Sequence, residues 1–126
     1  MLVSLAALPL SCAGMDKEPV VHAVVEFHDR FNAEDWGTIY GDADGAFRAA
    51  TSQDVFTRAM TTLKSRVGRF ESSVETYYGL QAQPGVNEGT YVRVRYSTRF
   101  SVQTATETFA WRIDNGKVKL FSYDAQ

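Results

Sequence analysis

The sequence predicts an α+β fold, with N-terminal helices packed on a curved, mainly four-stranded antiparallel sheet. Three observations carry this expectation. Apolar residues recur at helical spacing as far as Val67, alternation begins near Phe70, and Asn115-Gly116 is a strong two-residue hairpin signal close to the end. A sheet with one apolar face needs a cover, and the helical half of the chain supplies it.

The first helix is expected from Pro19, because Val20, Val24, Phe27 and Phe31 fall on one stripe, with Val21 and Val25 alongside. Asp16 can accept from first-turn amides, and proline is tolerated in that turn. After Asn32 the stretch AEDWGTIYGDADGAFRAA reads as a turn and a short, interrupted helix, since Gly37, Gly41 and Gly45 oppose a continuous one. Thr51, Ser52 and Asp54 form the next start signal, with Asp54 three residues after Thr51 as in a capping box. Phe56, Met60, Leu63 and Val67 then share a face, and Gly68 supplies the stop.

Strands follow. Alternation from Phe70 through Val74, Tyr78 and Leu80 is broken at Pro84-Gly85. In TYVRVRYSTRF the residues Val92, Val94, Tyr96, Thr98 and Phe100 face one way, and Arg93, Arg95 and Arg99 the other. A turn at Val102-Gln103 leads to the strand Ala105–Ile113, and Asn115-Gly116 leads to Lys117–Tyr123. With Asn115-Gly116 central, Trp111 opposes Leu120 and Ile113 opposes Val118. With Val102-Gln103 central, Tyr96 opposes Phe109 and Val94 opposes Trp111. Both registers place apolar residues on one face.

Composition limits the rest. The chain has 126 residues, with 13 Lys plus Arg against 15 Asp plus Glu, so the formal charge is −2 and a nucleic-acid partner is not expected. At 44% hydrophobic and 13% aromatic residues it can bury one core. Residues 19–126 are expected to form a single domain. Residues 1–11 read as a signal peptide: an apolar stretch, MLVSLAALPL, is followed by the small residues Ser11, Ala13 and Gly14, and it is too short to span a bilayer.

Cys12, the only cysteine, stands at the end of that stretch and resembles the lipidated residue of the bacterial lipoprotein lipobox. Ser11 matches the small residue before it; Pro9 replaces the usual leucine, between Leu8 and Leu10. No Lys or Arg precedes the apolar run, which predicts a start upstream of Met1. The resemblance implies cleavage before Cys12, acylation of its thiol, and a short tether over residues 12–18. The chain would then be exported and lipid-anchored to the cell envelope, with the membrane itself as a partner. Ala13 after the cysteine resembles lipoproteins sorted to the periplasmic face of an outer membrane. The alternative is a soluble secreted protein whose Cys12 is discarded or left as a lone thiol. One cysteine makes no internal disulfide and no Cys-based metal site.

The order helix, short helix, helix and four-stranded meander is similar to the nuclear transport factor 2-like (cystatin-like) superfamily. EFHDRFNAEDWGTIYGDADGAFRAATS resembles the opening of small domains in that group, and ATETFAWRIDNGKVKLFSY their last hairpin. The nearest resemblance is to bacterial lipoprotein domains of unknown function. It implies a cone-shaped roll in which the helices lean over the sheet, often around a pocket. Enzymatic members such as ketosteroid isomerases and dehydratases use that pocket for acid–base chemistry, but none of their residues matches here position by position, so no catalytic residue is carried over.

Three side chains are weak candidates for such chemistry. Glu107 shares the inward face with Phe109 and Trp111, where burial raises a carboxylate pKa, and Asp124 falls beside it in the expected register. The competing expectation, which is favoured, sets both carboxylates near solvent at the end of the sheet. His28 titrates near neutrality but sits at the edge of the helix's apolar face, as a solvated or hydrogen-bonded structural residue. His22 lies on the polar side. Tyr96, Trp111 and Tyr40 are candidate pocket-lining residues, although so many aromatics can also fill the cone. No metal site and no cofactor motif is present.

Arg93, Arg95, Arg99, Arg112 and Lys119, interleaved with Phe121 and Tyr123, are expected on the outer sheet face. They offer an interface for a second copy of the chain or an envelope protein, with Glu71 and Glu75 offsetting some of the charge. The functional expectation is a membrane-anchored, non-catalytic binding or assembly module of the bacterial envelope. The alternative is a small pocket isomerase, dehydratase or hydrolase.

Overall fold

The computed structural model describes residues 16–81 and 89–126. The expected signal peptide, Cys12 and the Pro84-Gly85 turn lie outside the described residues. Four helices, α1 (Glu18–Asn32), α2 (Trp36–Asp42), α3 (Gly45–Ala50) and α4 (Gln53–Val67), precede four strands, β1 (Phe70–Gln81), β2 (Thr90–Phe100), β3 (Thr104–Asp114) and β4 (Lys117–Ala125). The strands form one antiparallel meander in the order β1-β2-β3-β4. The chain is therefore α+β, as expected, and the helices cover one face of the sheet. No helix among the described residues is long and apolar enough to cross a membrane.

Local chemistry accounts for the helices. Asp16 Oδ1 accepts from the Glu18 amide at 3.0 Å, and Pro19 lies in the first turn of α1. The helix buries Val20, Val24, Phe27 and Phe31, together with His28. Its end is a Schellman-type closure. The Asp35 N–H reaches Arg30 O and the Glu34 N–H reaches Phe31 O, with Glu34 at φ 56°.

Gly37 and Gly41 lie inside α2 rather than ending it. Packing of Trp36 and Ile39 outweighs their low propensity. The break falls at Ala43-Asp44, where Asp44 donates its N–H to Leu120 O at 2.8 Å and caps α3 through its side chain on the Ala46 amide. The cap of α4 is Ser52, whose Oγ accepts from Val55 N–H at 3.2 Å. Thr51 instead closes α3, so the N-cap falls one residue later than expected and, with Val55 at the third helical position, the expected capping box does not form. Gly68 ends α4 at φ +89°, and a Cβ there would collide with the Ser101 side chain.

The last hairpin has the expected register, Trp111 opposite Leu120 and Ile113 opposite Val118, around an Asn115-Gly116 turn with both residues at positive φ. The β2–β3 register differs. Tyr96 opposes Glu107 and Val94 opposes Phe109, so the turn centres on Ser101-Val102. Contacts outside the hairpin hold it there. Ser101 N–H donates to Arg69 O, Val102 N–H to Val67 O, and Ser101 Oγ accepts from Arg69 N–H. A shift of two residues keeps every side chain on its face, and the apolar face survives.

Irregularities in pairing bend the sheet: two in β1, between Phe70 and Ser72 and between Glu75 and Tyr77, and one in the β3–β4 ladder. The first two overturn the expected alternation in β1. Val74 is exposed, and Glu75 pairs with Tyr96 on the inner face, where its carboxylate meets Lys17 Nζ at 2.9 Å. Glu75 is thus not available to offset the outer arginines.

These differences in burial set an expected order in urea denaturation. Phe109→Ala, which removes a ring with no exposed surface, should cost about 3–5 kcal/mol. Ser52→Ala should cost about 1 kcal/mol, and Val74→Ala less than about 0.5 kcal/mol. A Val74→Ala loss as large as that of Phe109→Ala would contradict this placement of the strand.

Candidate functional site: a buried carboxylate beneath a groove

One irregularity builds the site. Leu120 pairs with Trp111, but Ser122 pairs with Ala110 and Tyr123 with Phe109, which leaves Phe121 as the extra residue. Beyond it each side chain of β4 changes face. Tyr123 therefore turns inward, and Asp124 pairs with Thr108 and lies exposed. This corrects two expectations: Asp124 is not beside Glu107, and Tyr123 does not belong to the basic outer face.

Glu107 has no exposed surface, so the expectation that it sits near solvent is also overturned. Three groups from three elements converge on it. His28 Nε2 of α1 lies 2.8 Å from Oε1, Thr98 Oγ1 of β2 donates to the same oxygen at 2.6 Å, and Tyr123 OH of β4 donates to Oε2 at 2.6 Å. An ionised carboxylate only accepts, so the tautomer that completes this network carries its proton on Nε2. His28 is 3% exposed, and its ring stacks on Phe70 at 3.7 Å with edge contacts to Phe27 and Phe109. It is the hydrogen-bonded structural histidine of the expectation, but enclosed rather than at the edge of the helix face.

Burial, followed by the charge and hydrogen bond of Glu107, pushes the Tyr123 hydroxyl well above its ordinary pKa of 10.0. Burial and the nearby Glu75 and Glu107 push Tyr96 to about 12.

Tyr123 also lines a groove of about 320 Å³, with an apolar wall from Phe47, Phe56, Met60 and Leu63 and with Arg66 and Asp124 contributing polar groups. The pocket residues expected from sequence do not gather there. Tyr96 is buried edge-on against Phe109. Tyr40 directs its hydroxyl to Thr51 O at 2.7 Å. Trp111 lines a separate cavity of about 80 Å³ beneath α1, and its buried Nε1 finds no partner among the described residues. Glu107, meanwhile, is enclosed and already holds three donors. Its chemistry is the fixing of three elements, with a single groove-lining member, Tyr123.

The basic residues separate into two groups. Arg93, Arg95 and Arg99 stay on the outer face, where Arg95 lies over the Tyr77 ring at 5.1 Å. Arg112 is held by Asp44 at 2.9 Å and Asp114 at 3.1 Å, and Lys119 lies opposite it near the edge of the sheet. Phe121 packs edge-on against Tyr91 at 4.9 Å. No group of three His, Cys, Asp or Glu among the described residues is arranged to hold a metal ion.

Two predictions test the network. Glu107→Ala leaves three buried donors without their acceptor and should cost about 3–5 kcal/mol in urea denaturation; a loss below 1 kcal/mol would show that these bonds are not formed. Tyr123→Phe should cost about 1–3 kcal/mol at neutral pH. Because the folded state raises the Tyr123 pKa, its stabilising effect is complete below the unfolded value of 10.0 and is lost as pH rises beyond it. The variant should therefore lose less stability than the parent above pH 10, and parallel alkaline profiles would contradict this.

No curated protein matches the chain. The family described as "Protein of unknown function (DUF4019)" matches residues 23–123, which run from α1 to Tyr123 and include the whole Glu107 network. The chain belongs to this DUF4019 family.

Proposed function

We propose that this chain is an exported lipoprotein, anchored through Cys12, whose domain is a non-catalytic binding or assembly module of the nuclear transport factor 2-like type. The order of helices and strands and the helix-covered sheet support the superfamily reading. The apolar leader ending at Ser11-Cys12 supports the anchor. The observation that carries the binding role is the outer face of β1 and of the second half of β2, which stands exposed among the described residues. Val74 is 67% exposed, Tyr77 is 45% exposed, and Arg95 and Arg99 stand beside them. Arg and Tyr are enriched where proteins meet, and a second copy of the chain is the proposed occupant.

A second reading, a small pocket isomerase, dehydratase or hydrolase, is favoured by one observation: Tyr123 joins the groove to Glu107 and, through it, to His28. The two readings differ in what a substitution removes.

Intact mass of the chain from the membrane fraction of a bacterial host should reveal a species beginning at Cys12 with added acyl mass, and Cys12→Ser should lack it. Unacylated protein in both cases would overturn the anchor. In sedimentation of the full Cys12→Ser chain, Arg93→Glu with Arg95→Glu should abolish self-association. Monomeric protein before substitution would overturn the self-pairing face, and turnover lost on Tyr123→Phe would favour the enzyme.

A further inference from the structure

A further concavity lies at the edge of the sheet, away from the groove and from the outer face of β1 and β2. The bond from Asp44 N–H to Leu120 O docks the α2–α3 joint on the free side of β4. Between that joint and the β3–β4 turn is a cavity of about 310 Å³, lined by Arg48, Arg112, Lys117 and Lys119 and by the carboxylates Asp44 and Asp114. Four cationic side chains thus meet two carboxylates, in a chain whose overall charge is −2.

Both carboxylates are already committed to one cation. Arg112 Nη1 donates to Asp44 Oδ1 at 2.9 Å, and Nη2 donates to Asp114 Oδ2 at 3.1 Å. The second oxygen of Asp44 accepts from Ala46 N–H at 3.0 Å. Arg48 uses Nε on Ala43 O at 3.3 Å, which ties its guanidinium to the wall of the cavity. Arg48, Lys117 and Lys119 make no ion pair among the described residues. In addition, Lys119 is the direct cross-strand partner of Arg112. Asp44 and Asp114 already answer the charge of Arg112 in that pair, and the same ladder places Lys117 opposite Asp114.

We infer that this cavity binds a phosphate group on a small polar carrier, with Arg48, Lys117 and Lys119 as its cationic ligands. The excess of cations over carboxylates matches a dianion such as a phosphomonoester. The planar donor fork of Arg48 suits two phosphate oxygens, and the lysines act as point charges. The size lies at the lower end of small-molecule sites, roughly 300–1,000 Å³, which leaves space for the phosphate and a short carrier. The same chemistry is offered by a soluble phosphomonoester and by the headgroup of a phosphorylated lipid. The inference requires neither the Cys12 anchor nor self-association through the outer face.

The test titrates glycerol 3-phosphate into the full Cys12→Ser chain, observed through the NMR amide signals of Gly45, Asn115 and Gly116. Saturable shifts are expected that sodium chloride at equal ionic strength does not reproduce. Arg48→Ala and Lys119→Ala should each weaken binding about tenfold, with urea midpoints unchanged. A second arm sediments the same proteins with phosphatidylcholine vesicles, with and without phosphatidic acid. Binding that requires phosphatidic acid and is lost in both variants assigns the phosphate to a lipid. Soluble binding that both substitutions leave unchanged overturns the inference. So does the absence of a soluble response together with vesicle binding that is absent or indifferent to the substitutions.

Discussion

A carboxylate removed from water must have its lone pairs occupied, and Glu107 imposes that demand on the whole domain. Burying an unpaired charge is prohibitive, whereas a carboxylate with three good donors is tolerable. The donors come from α1, β2 and β4, so the helix must lie over the sheet at one height and the last strand must arrive in one register. Phe27, Phe70 and Phe109 surround the His28 ring and exclude water from the cluster. The apolar packing supplies most of the stability, and the polar cluster selects one arrangement of it.

The extra residue in β4 is the device that makes this possible. Without Phe121 displaced, Tyr123 would point to the outer face and Asp124 would stand against Glu107, placing two carboxylates together in the core. The bulge exchanges that repulsion for a hydroxyl donor, and the displaced Phe121 packs on Tyr91 instead. One irregular residue thus converts a candidate acid pair into a satisfied network.

The same accounting explains how the basic residues are distributed. Arg112 is engaged by two carboxylates at the sheet edge, and the Asp44 hydrogen bond keeps its guanidinium protonated beyond the ordinary range. Arg93, Arg95 and Arg99 remain on the open face, where the Tyr77 ring answers Arg95. A single basic face in the strand pattern becomes two regions in space, one internally compensated in part and the other open.

Helix and strand classes were legible because period and punctuation are local: Val20 to Phe31, Phe56 to Val67 and Asn115-Gly116 each carry their own signal. So was the inward side of β2 and β3, since a register error of two residues does not move a side chain to the other face. Thr98 stood in that inward row, and a hydroxyl there was the available sign of a buried polar partner. The positions of Tyr123 and Asp124 were not legible, because a bulge is set by pairing across strands and leaves no mark in the alternation of either one. Nor was the burial of His28, which depends on Phe70 and Phe109 arriving from distant parts of the chain. The sequence by itself determined the class, the order of elements and the apolar face, all from short-range periodicity. Tertiary structure alone decided which polar groups meet around Glu107, because those contacts span up to 79 residues of chain and exist only once the sheet has curved beneath α1.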